Sequence, residues 1–170
     1  MAIEIERRFI VEGDEWKSFA KNPKSFKQGY LSTNFDEWIT RIRIIDDKES
    51  EITLKARESS IRNREFSYPI PIRDAFLIWK SISLKIIKTR YILNYGPGEW
   101  IVDCFQDKNH PLIVSEVEMK SEKDFIKMPI WCVREITGIR SLSNASLANS
   151  PICDWKAEDR NDLFLSKTKS

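Results

Sequence analysis

Carboxylates and cations recur along this sequence in pairs two residues apart. Glu4 and Glu6 stand near its start, and Glu116 and Glu118 repeat the spacing much later. Between them lie Arg41 with Arg43, Lys55 flanked by Thr53 and Arg57, and Lys88 with Arg90. A two-residue interval puts side chains on one face of a β-strand. Gathered around one cavity, Glu4, Glu6, Glu116 and Glu118 would form an all-oxygen site of the kind that suits Mg²⁺ or Mn²⁺. Arg41, Arg43, Lys55, Lys88 and Arg90 would clamp an oxyanion, with guanidinium forks matching phosphate oxygens. A divalent cation beside a basic clamp is the apparatus of phosphoryl transfer, in which positioning and charge neutralisation supply most of the catalysis.

The elements that would carry these residues are mostly strands. Ile3 to Val11 alternates with period 2, placing Glu4, Glu6 and Arg8 on one face and Ile3, Ile5, Arg7, Phe9 and Val11 on the other. Asp14 is placed to cap a short helix to about Ala20, which Asn22-Pro23 ends. Strands are expected over Ser25–Thr33, Glu37–Ile45, Ser50–Arg57, Arg64–Ile70, Ile86–Tyr95, Glu99–Gln106 and Leu112–Lys120. Asp74 to Ser83 changes to the helical period, and shorter helical stretches are expected near Lys123–Ile126 and Leu142–Asn149. The sum is an α+β, mainly antiparallel fold with about eight strands, and a closed barrel with peripheral helices removes its edges most economically.

Opposite the charged positions are apolar ones: Ile42 and Ile44, Ile52 and Leu54, Ile87 and Tyr91, Val117 and Met119. If this apolar set faces outward under the helices, the barrel interior is lined with Arg, Lys and Glu, which must pair, hydrate or bind something. The alternative is a solvated outer face over an ordinary apolar core. Periodicity does not distinguish inside from outside.

Composition limits the function classes. The chain has 170 residues, with 28 basic against 26 acidic side chains and a net charge of +2. A nucleic-acid partner would call for a clearer basic excess, and the six tryptophans are dispersed rather than gathered as a base-stacking platform. No apolar run reaches the length of a membrane span, and the charged N-terminus is unlike a signal peptide. Cys104, Cys132 and Cys153 form no CxxC pair and read as reduced thiols of a cytoplasmic protein. His110 falls in a turn, Asp107-Lys108-Asn109-His110-Pro111, and reads as a surface residue. One domain over residues 1–155 is expected, with a polar tail over 156–170.

An ordered series of landmarks then carries a family resemblance. It comprises Glu4-Ile5-Glu6-Arg7-Arg8, Gln28-Gly29-Tyr30-Leu31, Arg41-Ile42-Arg43, Thr53-Leu54-Lys55, and Glu65-Phe66 followed by Tyr68-Pro69-Ile70-Pro71. It continues with Lys88-Thr89-Arg90-Tyr91, Trp100-Ile101-Val102-Asp103, Glu116-Val117-Glu118 and Arg134-Glu135-Ile136-Thr137. From Glu4 to about Pro151 the chain resembles the CYTH superfamily, the triphosphate tunnel metalloenzymes, and their bacterial branch in particular. The resemblance implies an eight-stranded antiparallel tunnel and a Mg²⁺- or Mn²⁺-dependent hydrolysis of triphosphates, with inorganic triphosphate as the first substrate. It implies Glu4, Glu6, Glu116 and Glu118 as metal ligands and Arg8, Arg41, Arg43, Lys55, Lys88 and Arg90 as phosphate ligands, with Arg8, Glu4 and Glu6 as the catalytic group. Tyr30, Glu65, Asp103 and Arg134 are further candidates. Tyr30 is weighed as a tunnel-mouth contact against a packed aromatic, Asp103 as a metal ligand against a partner for an interior arginine, Glu65 as an orienting acid, and Arg134 as a neutralising base against a surface pair.

Departures from the family pattern bear on mechanism. The signature lysine is Arg8, which keeps its proton near neutral pH and so serves phosphate binding or water orientation rather than proton exchange. Ile87 and Ser67 stand where acids are usual, and the stretch from Ser141 to Ala148 lacks the usual tyrosines. The rival functions are a nucleotide cyclase in the same tunnel and a triphosphate- or nucleotide-binding protein without turnover. No membrane or nucleic-acid partner is expected, and the chain would act as a monomer or a homodimer.

Overall fold

The structure, a computed structural model, describes residues 3–33 and 38–164. β1 (Ile3–Val11) is followed by an antiparallel meander of β2 (Lys24–Ser32), β3 (Ile39–Ile45), β4 (Glu49–Arg57) and β5 (Arg62–Pro69). Helix α1 (Ile72–Ser81) then crosses the outside of β3 and β4. It leads to β6 (Lys85–Ile92), which pairs with the free edge of β2 and starts a second meander with β7 (Glu99–Phe105) and β8 (Ile113–Glu118). β1 lies between the two meanders, paired with β8 through Glu6–Ile10 and with β5 through Ile3–Ile5. That closes an eight-stranded antiparallel barrel, as the sequence predicts.

Local sequence explains the connections. The β3–β4 hairpin turns at Asp46 and Asp47, both in the left-handed region (φ 52° and 55°), as a tight turn matched to strand twist requires. Asp46 also accepts a hydrogen bond from the Ser25 backbone N–H at 2.7 Å, fixing the turn to the neighbouring strand. The predicted helix after β1 is a single 3₁₀ stretch, Glu15–Phe19. Asp14 does not cap it; its carboxylate pairs with Lys17 at 2.6 Å instead. Trp16 at its centre is buried on the barrel wall, edge-on to Tyr91 at 5.0 Å.

The aliphatic set faces outward. Ile42 and Ile44 are fully buried beneath α1, and Trp100, Val102 and Val117 are buried with Trp16, Ile126 and Trp131 on the opposite wall. The ionic set faces inward, but only through part of the barrel. At one end the same inward parity supplies Ile10, Ile86, Phe105, Leu112 and Val114, which form an apolar floor with Leu142, Ala145, Leu147 and Ile152. The segments bearing those last four are a 3₁₀ turn at Arg140–Leu142, α2 (Asn144–Asn149) and a second turn at Ile152–Asp154. They plug the barrel.

Three stretches differ from the sequence reading. Lys123–Ile126 is not helical: the Asp124 carboxylate accepts from the backbone N–H groups of Lys120 and Ser121, which makes a turn, and Ile126 alone anchors the loop. A short strand, β9 (Cys132–Glu135), pairs with β1 at Phe9–Val11, beyond the point where β5 ends. Four residues are too few for alternation to single it out. Residues expected in the polar tail form α3 (Ala157–Phe164), whose Leu163 is buried in the plug core. Arg134 holds it by donating to the carbonyls of Asp162 and Leu163 at 2.8 and 2.9 Å. Among the described residues no helix is long and apolar enough to cross a membrane.

The most enclosed charges are also structural. Asp103 is fully buried and accepts from Lys88 Nζ at 2.5 Å and from Arg90 Nε and Nη2 at 2.8 and 2.7 Å. Burial opposes its ionisation, yet the two cations hold the carboxyl well below its usual range. Burial pushes the Lys88 ammonium down to about 8 against the pull of Asp103. Two measurements check this account of inside and outside. Ile42→Ala is expected to cost about 2–5 kcal/mol in urea unfolding, as a cavity beneath α1 should. Asp103→Asn is expected to cost about 3–5 kcal/mol, because it leaves buried cations without their counter-ion; an unchanged denaturation midpoint would show that the triad is not holding the barrel.

Candidate functional site

Two cavities of about 160 Å³ and about 280 Å³ occupy the open part of the barrel and share Glu4, Glu6, Arg90 and Glu116 in their walls. The smaller is basic, lined by Arg8, Arg41, Arg43, Lys55 and Arg90, with Tyr30 and Thr53 beside them. The larger is acidic at its rim, where Glu99 and Glu118 join Glu4, Glu6 and Glu116. Alternation along β1 thus delivers Glu4, Glu6 and Arg8 to one passage, and β8 delivers Glu116 and Glu118 to it.

Cross-strand neighbours neutralise most of the basic cavity. Arg8, buried, donates from Nε to Glu116 at 2.9 Å and from Nη1 to the Leu142 carbonyl at 2.9 Å. Burial works against its charge, but Glu116, Glu6 and Asp103 outweigh that and raise its pKa. Arg90 joins Glu116 at 3.2 Å to its bidentate pair with Asp103. Lys55 hydrogen-bonds Glu4 and lies 3.6 Å from Glu6 and 3.4 Å from Glu65. Those carboxylates overcome its burial and keep it protonated. Burial pushes the Glu4 carboxyl up to about 7 in spite of Lys55. Arg43 pairs with Glu51 at 2.8 Å, and Arg41 bonds Thr53 at 3.1 Å and Glu65 at 3.5 Å. Burial, with Arg41 and Arg90 nearby, lowers the Arg43 guanidinium to about 10, still fully charged at neutral pH.

The pairing is incomplete in one direction. Arg8 Nη2, Arg41 Nε and Arg43 Nε are buried donors with no hydrogen-bond partner among the described residues. Buried donors without partners are costly, and these three belong to side chains lining the same small cavity. A multidentate oxyanion would satisfy them.

The acidic rim has the complementary excess. Glu6 lies opposite Glu118, and Glu118 opposite Glu99, so three carboxylates form a row across β1, β8 and β7. Like charges directly opposite one another destabilise a sheet. Burial first, then Glu99 and Glu6, push the Glu118 carboxyl upward. Neither Glu99 nor Glu118 forms a salt bridge among the described residues. This oxygen-only donor set fits a hard divalent cation such as Mg²⁺ or Mn²⁺. Among the described residues no group of three or more His, Cys, Asp or Glu side chains is gathered closely enough to hold an ion as it stands. The reason is visible in the contacts: Glu4 and Glu6 turn to Lys55, and Glu116 to Arg8 and Arg90.

Of the residues singled out from sequence, Glu4, Glu6, Arg8, Tyr30, Arg41, Arg43, Lys55, Arg90 and Glu116 all border the basic cavity, and Glu118 borders the acidic one. Tyr30 is both cavity wall and packed aromatic: its ring is buried and its hydroxyl accepts from Gln28 at 3.1 Å. Glu65 stands behind Lys55 and Arg41. Lys88 and Asp103 are fully buried inside the barrel and line neither cavity, with the Lys88 ammonium 5.5 Å from the centroid of the Phe105 ring of the floor. Arg134 is on the outside, committed to α3.

Sequence reasoning missed three contributors. Phe26 shares the inward parity of Gln28 and Tyr30 and has the Arg43 and Arg90 guanidiniums at 5.2 and 5.1 Å from its ring. Glu99 shares the parity of Asp103, a signal present in the sequence but not used. The segment from Thr137 to Ala145 roofs the basic cavity; the helical stretch expected near Leu142–Asn149 forms as α2, but its place over the cavity is set by tertiary packing and not by a local pattern.

Comparison with known proteins agrees with this geometry. Residues 2–149 match the model of the CYTH domain. A curated inorganic triphosphatase of Acetivibrio thermocellus is 35% identical over 158 residues, 92% of this chain and 99% of that one. The crystal structure of the inorganic triphosphatase NE1496 superposes with a TM-score of 0.60 at 29% identity, covering 87% of this chain and 95% of that one. HpAC1 of Hippeastrum, a putative adenylyl cyclase described with a dominant triphosphatase activity, shares the fold at 13% identity and a TM-score of 0.52, over 71% of this chain and 80% of that one. With the family model spanning most of its length and a curated relative aligned almost end to end, this chain belongs to the CYTH domain family.

Proposed function

We propose that the protein is a divalent-metal-dependent triphosphatase that hydrolyses a phosphoanhydride bond of inorganic triphosphate inside the barrel. The observation that carries the reading is the set of partnerless guanidinium donors on Arg8, Arg41 and Arg43, side chains that line one cavity, next to a row of carboxylates. Inorganic triphosphatases are also among its relatives.

In this reading Arg41 and Arg43, on adjacent inward positions of β3, grip successive phosphate oxygens. Arg8 reaches the same chain from β1, with Glu116 and the Leu142 carbonyl fixing its fork. It orients and neutralises but does not act as a base, since a guanidinium keeps its proton. Asp103 sets the direction of Arg90, and Glu65 that of Lys55 and Arg41. Glu4, Glu6, Glu116 and Glu118 would hold the divalent cation, which when bound neutralises phosphate charge and lowers the pKa of water. Water adds to a terminal phosphorus as the bridging P–O bond breaks, and the products are orthophosphate and pyrophosphate. Negative charge developing on the transferred phosphate would be met by the guanidinium groups that line the cavity.

Phosphate release from inorganic triphosphate, with and without metal, tests the reading. EDTA-treated protein is expected to be inactive and to recover with Mg²⁺ or Mn²⁺; a metal-independent rate would overturn the role of the carboxylates. Glu118→Gln, at the exposed rim, should lower turnover at least ~10-fold without altering the melting temperature. Arg41→Ala should lower kcat/KM for triphosphate by about 10²-fold, the scale seen when one preorganised donor is removed.

A further inference from the structure

The roof of the basic cavity holds one unmet group that the site as described does not use. Asn144 lines that cavity with Arg8, Arg41 and Arg43, and its Oδ1 is buried without a hydrogen-bond partner among the described residues. A native structure rarely leaves a buried amide oxygen unsatisfied. The backbone around it has little freedom to move away. Ser143 Oγ accepts from the Ser146 N–H at 3.2 Å, and the neighbouring Ala145 and Leu147 are buried in the plug core. The roof is also closed down on the β4–β5 connection, where the Gly138 carbonyl accepts from Arg57 Nη2 at 3.4 Å and a Cβ at Gly138 would stand 3.1 Å from Ser60 Cβ. What remains free is the amide's own rotation.

A side-chain amide has nearly the same shape either way round, but one orientation presents an acceptor and the other two N–H donors. Every other unmet group lining this cavity is a guanidinium donor. A ligand that answers those donors is rich in acceptor oxygens, and beside it the amide is satisfied only with Nδ2 turned inward. We propose that Asn144 is a triphosphate-binding residue, donating through Nδ2 to an oxygen of the phosphate group that lies against the Thr137–Ala145 roof. The plug segment is then part of the substrate site as well as the end of the barrel core. This rests on the triphosphatase reading for the identity of the ligand, but not on turnover.

The test compares wild type with Asn144→Leu and Asn144→Asp, both close in size to asparagine and both lacking the donor. Binding of inorganic triphosphate is measured by calorimetry in metal-free buffer, and phosphate release with Mg²⁺. The dissociation constant and KM are expected to rise about tenfold in Asn144→Leu, the scale of one hydrogen bond to a charged group. They should rise further in Asn144→Asp, where a carboxylate faces phosphate, while kcat stays within about twofold. If Asn144 only fills space, Asn144→Leu binds and turns over as wild type, and that result overturns the proposal. Should Asn144→Leu fail to fold in a melting experiment, unchanged binding by Asn144→Asp overturns it equally. Wild type that binds triphosphate without releasing phosphate sinks the hydrolase reading and leaves Asn144 to the binding data. Wild type that does not bind triphosphate sinks both.

Discussion

A closed barrel whose inward positions carry fixed charges must balance those charges between neighbouring strands. Here the balance is reached through two groups of ion pairs. Arg8, Glu116, Arg90, Asp103 and Lys88 form a continuous run across β1, β8, β7 and β6. Lys55 among Glu4, Glu6 and Glu65, with Arg41 and Arg43 against Glu65 and Glu51, forms the other. Side chains so held have little rotational freedom left to lose when a ligand binds. The residual imbalance is therefore localised, with excess donors in one cavity and excess carboxylates at the rim of the next. Removing one member of either network leaves buried charge incompletely compensated, so structural and chemical roles are not separable for residues such as Glu116, which holds both Arg8 and Arg90.

The apolar floor makes this arrangement possible. An interior that was ionic from end to end would have no dry core of its own and would depend wholly on the outer layer. Instead, the inward positions change character along each strand: Arg8 gives way to Ile10, Lys88 to Ile86, Asp103 to Phe105 and Glu116 to Val114. Leu142, Leu147 and Ile152 close that end. The outer wall has a second core around Trp16, Trp100 and Trp131. The charged cavity sits between two apolar masses, which restricts water and strengthens every electrostatic contact within it.

Much of the barrel was readable from alternation alone. The inward residues Glu4, Arg41, Lys55 and Glu116 were visible as pairs and runs at two-residue spacing, and the eight strands were bounded by their turn residues. Which face was inside was not readable, because alternation is symmetric between the faces; the family resemblance resolved it, not the periodicity. Lys88 and Arg90 looked equivalent in the sequence, yet only Arg90 lines the cavities, and Lys88 is fully buried against Asp103 nearer the apolar floor. Arg134 looked like a candidate base and is instead the fastening for α3. The floor and the roof were both missed. They arise from packing between segments more than a hundred residues apart, such as Ile10 with Leu142, and no local pattern encodes such a meeting.

The position of β1 in the ring has a consequence for how the chain assembles. This strand is synthesised before any other element described, but its partners are β5, β8 and β9, and β8 begins at Ile113. Both meanders can pair internally as they emerge, whereas β1 can pair with β5 only through Ile3–Ile5 and leaves Glu6–Ile10 unmatched until β8 is made. Contacts of such long sequence separation form slowly. The stretch bearing Glu6 and Arg8 thus lies in the first of the described elements and is among the last to be seated, so the barrel and its charged passage come into being in the same closing step.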